Sequence, residues 1–125
     1  MKQNLNKPKH SLWKNGVYAL EGLLDITKNE TSFKWQIFML FVLGTIAWVL
    51  PISFGYSSIL FISIFLPILA EVANSAIERV VDLVTSDYHI LAKQAKDVGA
   101  TMVILSLLVM SMIWMATLAV AFELV

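Results

Sequence analysis

Residues 35–70, WQIFMLFVLGTIAWVLPISFGYSSILFISIFLPILA, contain no Asp, Glu, Lys or Arg. This run of 36 residues is nearly twice the ~20 that a helix needs to cross a hydrocarbon core, and Pro51 and Gly55 interrupt it near its middle. That punctuation predicts a hairpin between two spans, at about 35–50 and about 57–82. A second charge-free stretch, VGATMVILSLLVMSMIWMATLAVAF over residues 98–122, predicts a third span at about 98–120. Trp114 lies near its far end as a candidate interfacial anchor.

The composition agrees with a single all-α membrane domain. The 125 residues are 58% hydrophobic and 14% charged, whereas a soluble domain is about 45–50% apolar and about 25% charged. Nine basic and nine acidic residues cancel, and without a basic excess no nucleic-acid partner is expected. The absence of cysteine excludes disulfides, thiolate metal sites and cysteine nucleophiles. The opening MKQNLNKPKH is polar and does not resemble the apolar core of a signal peptide.

Orientation follows from the cations. Lys2, Lys7, Lys9, Lys14, Lys28 and Lys34 precede the first span, and Arg79, Lys93 and Lys96 lie between the second and third. The hairpin near Pro51 and the C-terminal tail carry none, so the positive-inside rule places the N-terminus and the 79–97 connection in the cytoplasm and the C-terminus outside. Residues 11–28 alternate with helical period: Trp13, Val17, Leu20 and Leu24 form one stripe, and Lys14, Glu21, Asp25 and Lys28 another. Such a helix is expected to lie in the membrane interface, with packing on the protein's own core as the alternative.

The chemistry is concentrated in LAEVANSAIERVVDLVTSDYH, residues 69–89. Glu71, Asn74, Ser75, Glu78 and Asp82 fall within a sector of about 100° on one helix, while Val72, Ala76, Ile77, Val80 and Val81 cover its other faces. A carboxylate at membrane depth costs about 2.5–3.5 kcal/mol, so three on one stripe require lysines, a divalent cation or protonation to offset them. Mg²⁺ takes one or two carboxylates together with phosphate oxygens and water, which suits Glu78 with a second acid from elsewhere. Lys96, at the cytoplasmic start of the third span, could reach phosphate oxygens as a point charge. Two other readings use the same stripe: a polar seam that only specifies helix assembly, and the ion or proton pathway of a small translocating oligomer.

With these residues in view, EVANSAIERVVDLVTSDYHILAKQAKDVGA strongly resembles the signature of the small bacterial integral-membrane diacylglycerol kinases. That pattern is E-x-x-N-[ST]-A-[IV]-E-x-x-[VI]-D, followed by Y-H and by A-K-D-x-[GA]-[AS]. Both halves and their separation agree, and size, surface helix and three spans extend the resemblance over essentially the whole chain. The family uses no G-x-x-x-x-G-K-[ST] phosphate loop, and none occurs here.

The resemblance implies a homotrimeric bundle in the bacterial cytoplasmic membrane, with a cytoplasmic site and a periplasmic C-terminus. Its partners would be ATP with Mg²⁺, diacylglycerol or a related lipid alcohol, and membrane lipids. Carried over by position, Glu71 would be the catalytic base, with Asn74 supporting the reacting groups and Asp82 holding the stripe together. Glu30 and Glu78 would bind Mg²⁺. Nucleotide contacts would fall on Tyr18, Asp87, Tyr88, His89, Lys96 and Asp97. Lipid contacts would fall on Lys14, Gly16, Val17, Tyr18 and Ala19, on Thr31, Ser32, Phe33 and Lys34 beside Glu30, and on Glu71 and Ala100.

Three positions depart from the pattern. Ser11 stands where Arg is frequent, leaving Lys9 or Lys14 as the nearby cation; Gln36 replaces a glutamate, and Gln94 an arginine. Undecaprenol kinases share the fold, but their S-P-E-Y-H-P version differs from the SDYH and KDVGA found here, so diacylglycerol is the expected substrate.

Overall fold

The computed structural model describes residues 12–124. The expected helix start at Ser11, and Lys2, Lys7 and Lys9, lie outside the described residues. The chain forms five helical segments: α1 (Leu12–Asn29), α2 (Thr31–Val49), α3 (Phe54–Ser63), α4 (Phe65–Val84) and α5 (Ile90–Ala121). Among the described residues there is no strand. α2, the α3–α4 rod and α5 are each long and apolar enough to cross a membrane, so the protein is an all-α membrane protein with three spans.

Local chemistry sets the boundaries. α1 and α2 are separated by Glu30 alone, whose extended backbone (φ −104°, ψ 115°) turns the chain between them. α2 stops at Leu50 because the ring of Pro51 disfavours helical geometry in the residue before it, and Leu50 is accordingly extended (ψ 139°). The hairpin read from Pro51 is therefore short, with residues 50–53 joining α2 to α3.

The second span is not one unbroken helix. Pro67 has no N–H to give the carbonyl of Ser63, four residues earlier, and its ring crowds that carbonyl. The rod breaks there, between α3 and α4 at Ile64. Ser63 is buried at the break; its hydroxyl donates to the Leu60 carbonyl (2.7 Å) and accepts from the Trp114 indole N–H (3.1 Å). Trp114 is thus half-buried against the break rather than anchored at the interface as its position in the sequence suggests.

At 1.5 Å per residue the α3–α4 rod and α5 are about 46 and 48 Å long, against about 30 Å of hydrocarbon. The hairpin end of the rod is free of charge. Toward its other end the rod carries Glu71, Glu78, Arg79 and Asp82, beside Lys93, Lys96 and Asp97 at the start of α5.

Packing is densest between α4 and α5. A small apolar core at the joint of the surface helix and the first span unites Ile26, Phe33 and Ile68, with Ile37 and Leu40 against it. Phe33, expected as a lipid contact, is fully enclosed there and acts as the pivot on which α1, α2 and α4 meet. On α1, Trp13, Leu20 and Leu24 are exposed, which leaves the predicted apolar stripe facing away from the bundle.

Candidate functional site

The polar stripe of α4 runs from the interior to the surface. Glu71, Asn74 and Ser75 are buried, Glu78 is half-buried and Asp82 is exposed. Seven residues separate Glu71 from Glu78, so the two lie about 10 Å apart along the axis. Measured from Phe54, Glu71 is about 26 Å and Glu78 about 36 Å along the rod, against about 30 Å of hydrocarbon.

Each acid has a polar neighbour, some close and some loose. Gln36 of α2 donates to Glu71 Oε2 (3.4 Å), and the Ser32 hydroxyl faces the same carboxylate. Asn74 Nδ2 donates to Glu78 Oε1 (3.1 Å). Lys96 Nζ reaches from α5 to Asp82 Oδ1 (2.6 Å), tying the exposed end of the stripe to the third span. Glu30, in the α1–α2 joint, meets Arg79 Nη2 at 3.4 Å, while Arg79 Nη1 holds Asp25 Oδ2 at 2.5 Å.

Asn74 is held from behind by Gly99. A Cβ on Gly99 would collide with Asn74 Oδ1, so α5 carries glycine where the amide occupies the space of a side chain. The same oxygen is buried without a hydrogen-bond partner, as is Gln36 Oε1. Both amides therefore point their N–H groups at carboxylates and keep their carbonyls toward the bundle.

Above the stripe, a cleft of about 440 Å³ lies between the end of α4, the 85–89 turn and the start of α5. It gathers Asp87, Tyr88, His89, Lys96 and Asp97, five residues expected around the nucleotide. Lys93 forms an i,i+4 pair with Asp97 (2.5 Å). His89 caps α5: its Nδ1 accepts the Leu91 N–H at 3.2 Å, which puts the proton of the neutral ring on Nε2. That capping role was not evident from the sequence.

Other expected residues stay apart within one chain. Among the described residues, no hydrogen bond or ion pair joins Lys14 or Tyr18 to the α4 acids, and Gly16, Val17 and Tyr18 are exposed on α1. Ala19 lines a separate cleft of about 490 Å³ between α1 and α4, with Gly22, Leu23, Ile26, Val72, Ala76 and Arg79. Thr31, Ser32 and Lys34 are exposed beside Glu30, and Ala100 faces outward, one residue beyond the Gly99 contact.

Two participants were missed from the sequence. Arg79 was used only for orientation, although it is the one cation between Lys34 and Lys93 and so had to find a carboxylate. Gly99 falls in the A-K-D-x-[GA]-[AS] signature, but nothing in the sequence pointed to a role of its own.

Among the described residues, no three acidic or histidine side chains converge as a complete metal cage. Magnesium does not need one, since phosphate oxygens and water complete its shell. Glu30 and Glu78 supply hard carboxylate oxygens, the donor type that suits a magnesium ion shared with a nucleotide.

A family model described as Prokaryotic diacylglycerol kinase matches residues 17–118. Proteins named diacylglycerol kinase from Haemophilus influenzae and Pseudomonas aeruginosa are 35% and 33% identical over 103 and 97 residues, covering 78% of this chain and 82% and 79% of theirs. That of Escherichia coli K12 is 33% identical over 97 residues, 78% of this chain and 80% of its own. With the signature residues gathered on α4 and α5 and the match running from the surface helix to the third span, the chain belongs to the prokaryotic diacylglycerol kinase family.

Proposed function

We propose that the protein is an ATP-dependent lipid kinase that transfers the γ-phosphoryl group to the primary hydroxyl of diacylglycerol, giving phosphatidate and ADP. The observation that carries this reading is the burial of Glu71 about two turns below Glu78, beneath a cleft rimmed by Lys96. That vertical order suits a lipid hydroxyl at the ester level with a water-soluble nucleotide above it.

Phosphoryl transfer asks the protein for positioning and charge neutralisation more than for covalent chemistry. Glu71 accepts the proton of the lipid hydroxyl as its oxygen attacks the γ-phosphorus. The bond from that phosphorus to the β–γ bridging oxygen breaks, and ADP carries the bridging oxygen away. Glu30 and Glu78 would hold Mg²⁺, which would supply charge neutralisation for the triphosphate. Lys96 turns from Asp82 toward phosphate, and Asp87, Tyr88, His89 and Asp97 line the nucleotide cleft. Asn74, backed by Gly99, keeps the Glu78 carboxylate in place.

Two features of the single chain support assembly as a homotrimer. Three spans give little wall around the site, and Lys14, Gly16, Val17 and Tyr18 are exposed, with no hydrogen bond or ion pair to their own chain's α4 acids among the described residues. In the trimer these residues serve a site across a subunit boundary. The clustering of Lys and Arg at the site end supports a cytoplasmic site in the bacterial inner membrane, with the C-terminus outside.

The test supplies γ-labelled ATP and Mg²⁺ to protein in vesicles holding equal diacylglycerol and undecaprenol. Labelled phosphatidate is expected to dominate. A more than tenfold preference for undecaprenol in kcat/KM would reassign the substrate within the same mechanism. Ion flux without any labelled lipid would contradict the kinase reading.

A further inference from the structure

Arg79 makes two unequal contacts. Its Nη1 lies 2.5 Å from Asp25 Oδ2, a short charge-assisted bond, whereas its Nη2 stands 3.4 Å from Glu30 Oε1, beyond the range of a strong one. Asp25 is itself fixed, because Asn29 Nδ2 donates to its other oxygen at 2.7 Å. Glu30 occupies the single non-helical position between α1 and α2, and Arg79 is the one hydrogen-bond partner of its carboxylate among the described residues. The guanidinium is therefore anchored on the surface helix and only leans toward Glu30.

We propose that Asp25 acts as a tether that holds Arg79 off Glu30, keeping this carboxylate available to a divalent cation while its charge is partly offset. Asp25 and Arg79 are then positioning residues, acting through Glu30. The inference rests on the reading of Glu30 as a cation ligand. Released from Asp25, Arg79 closes on Glu30 and competes with the cation for the same oxygens. Removing Arg79 as well abolishes the competitor. A plain brace between α1 and α4 has the opposite logic: either substitution breaks the same brace, and both do the same harm.

The test measures Mn²⁺ binding by the loss of its free electron paramagnetic resonance signal, using the full-length protein in lipid with a non-hydrolysable ATP analogue. Asp25→Asn is expected to weaken Mn²⁺ binding about threefold to fivefold, the scale of one exposed ion pair. Arg79→Gln is expected to leave it equal or tighter, and the Asp25→Asn, Arg79→Gln double variant to return to the parent value. A folding defect caused by Asp25→Asn would not be restored by a second loss. Equal weakening in both single variants, or no change in Asp25→Asn, overturns the tether. Glu30→Gln separates the two levels: weakened Mn²⁺ binding there with an inert Asp25→Asn leaves Glu30 a ligand and discards only the tether. Unchanged binding in Glu30→Gln removes Glu30 from the cation site, and the tether with it.

Discussion

Replacing Glu71 by Gln is expected to lower turnover by about two to four orders of magnitude, the usual contribution of a positioned general base. Glutamine keeps the shape and can still meet Gln36 and Ser32, but it cannot take a proton from the lipid hydroxyl. The loss belongs to the transition state, so kcat should fall while KM for diacylglycerol and for MgATP stays near that of the parent. Phosphatidate formation under saturating substrates measures this directly. A mild loss accompanied by a raised KM for either substrate would make Glu71 a binding residue and move proton acceptance elsewhere.

Gly99→Val is expected to be the most disruptive change outside the acids. The new side chain must occupy space filled by the Asn74 amide, at the helix pair where the protein packs most closely. Overpacking of this kind costs about 1–3 kcal/mol. It also has a chemical consequence, because displacing Asn74 removes the donor to Glu78 Oε1. Thermal unfolding in a mild detergent should show a lowered midpoint, and the concentration of Mg²⁺ giving half-maximal activity should rise in the protein that stays folded. Ala100→Val, one position along and facing outward, is the control and should leave the midpoint nearly unchanged. Equal stability of the two variants would mean that α5 shifts to make room and that Gly99 does not hold Asn74.

The existence of three spans was legible because unpaired charge is costly in hydrocarbon, and two long stretches lack Asp, Glu, Lys and Arg. The acidic stripe was legible for a similarly simple reason, since 100° per residue aligns Glu71, Asn74, Glu78 and Asp82 on any α-helix. The break at Ile64 was foreshadowed by Pro67, but an apolar run this long masks a local loss of one backbone hydrogen bond. What each residue touches across the bundle was not legible. Trp114 looked like an interface anchor by its distance from the span's end, yet its indole N–H finds the Ser63 hydroxyl 51 residues away. Phe33 sat among expected lipid contacts and is instead enclosed, because the one-residue joint at Glu30 folds α1 back over it. The Asp25–Arg79 pair depends on that same joint, so no local pattern could announce it.

In the proposed mechanism one face of α4 divides its labour by depth, with Glu71 receiving the proton and Glu78 holding the metal nucleotide. The most direct test is the affinity of a non-hydrolysable MgATP analogue for Glu71→Gln and for Glu78→Gln, measured side by side in the same lipid. Glu71→Gln is expected to bind within about twofold of the parent and Glu78→Gln about tenfold more weakly, in keeping with one lost charge-assisted ligand. Equal losses in both variants, or a larger loss in Glu71→Gln, would contradict it.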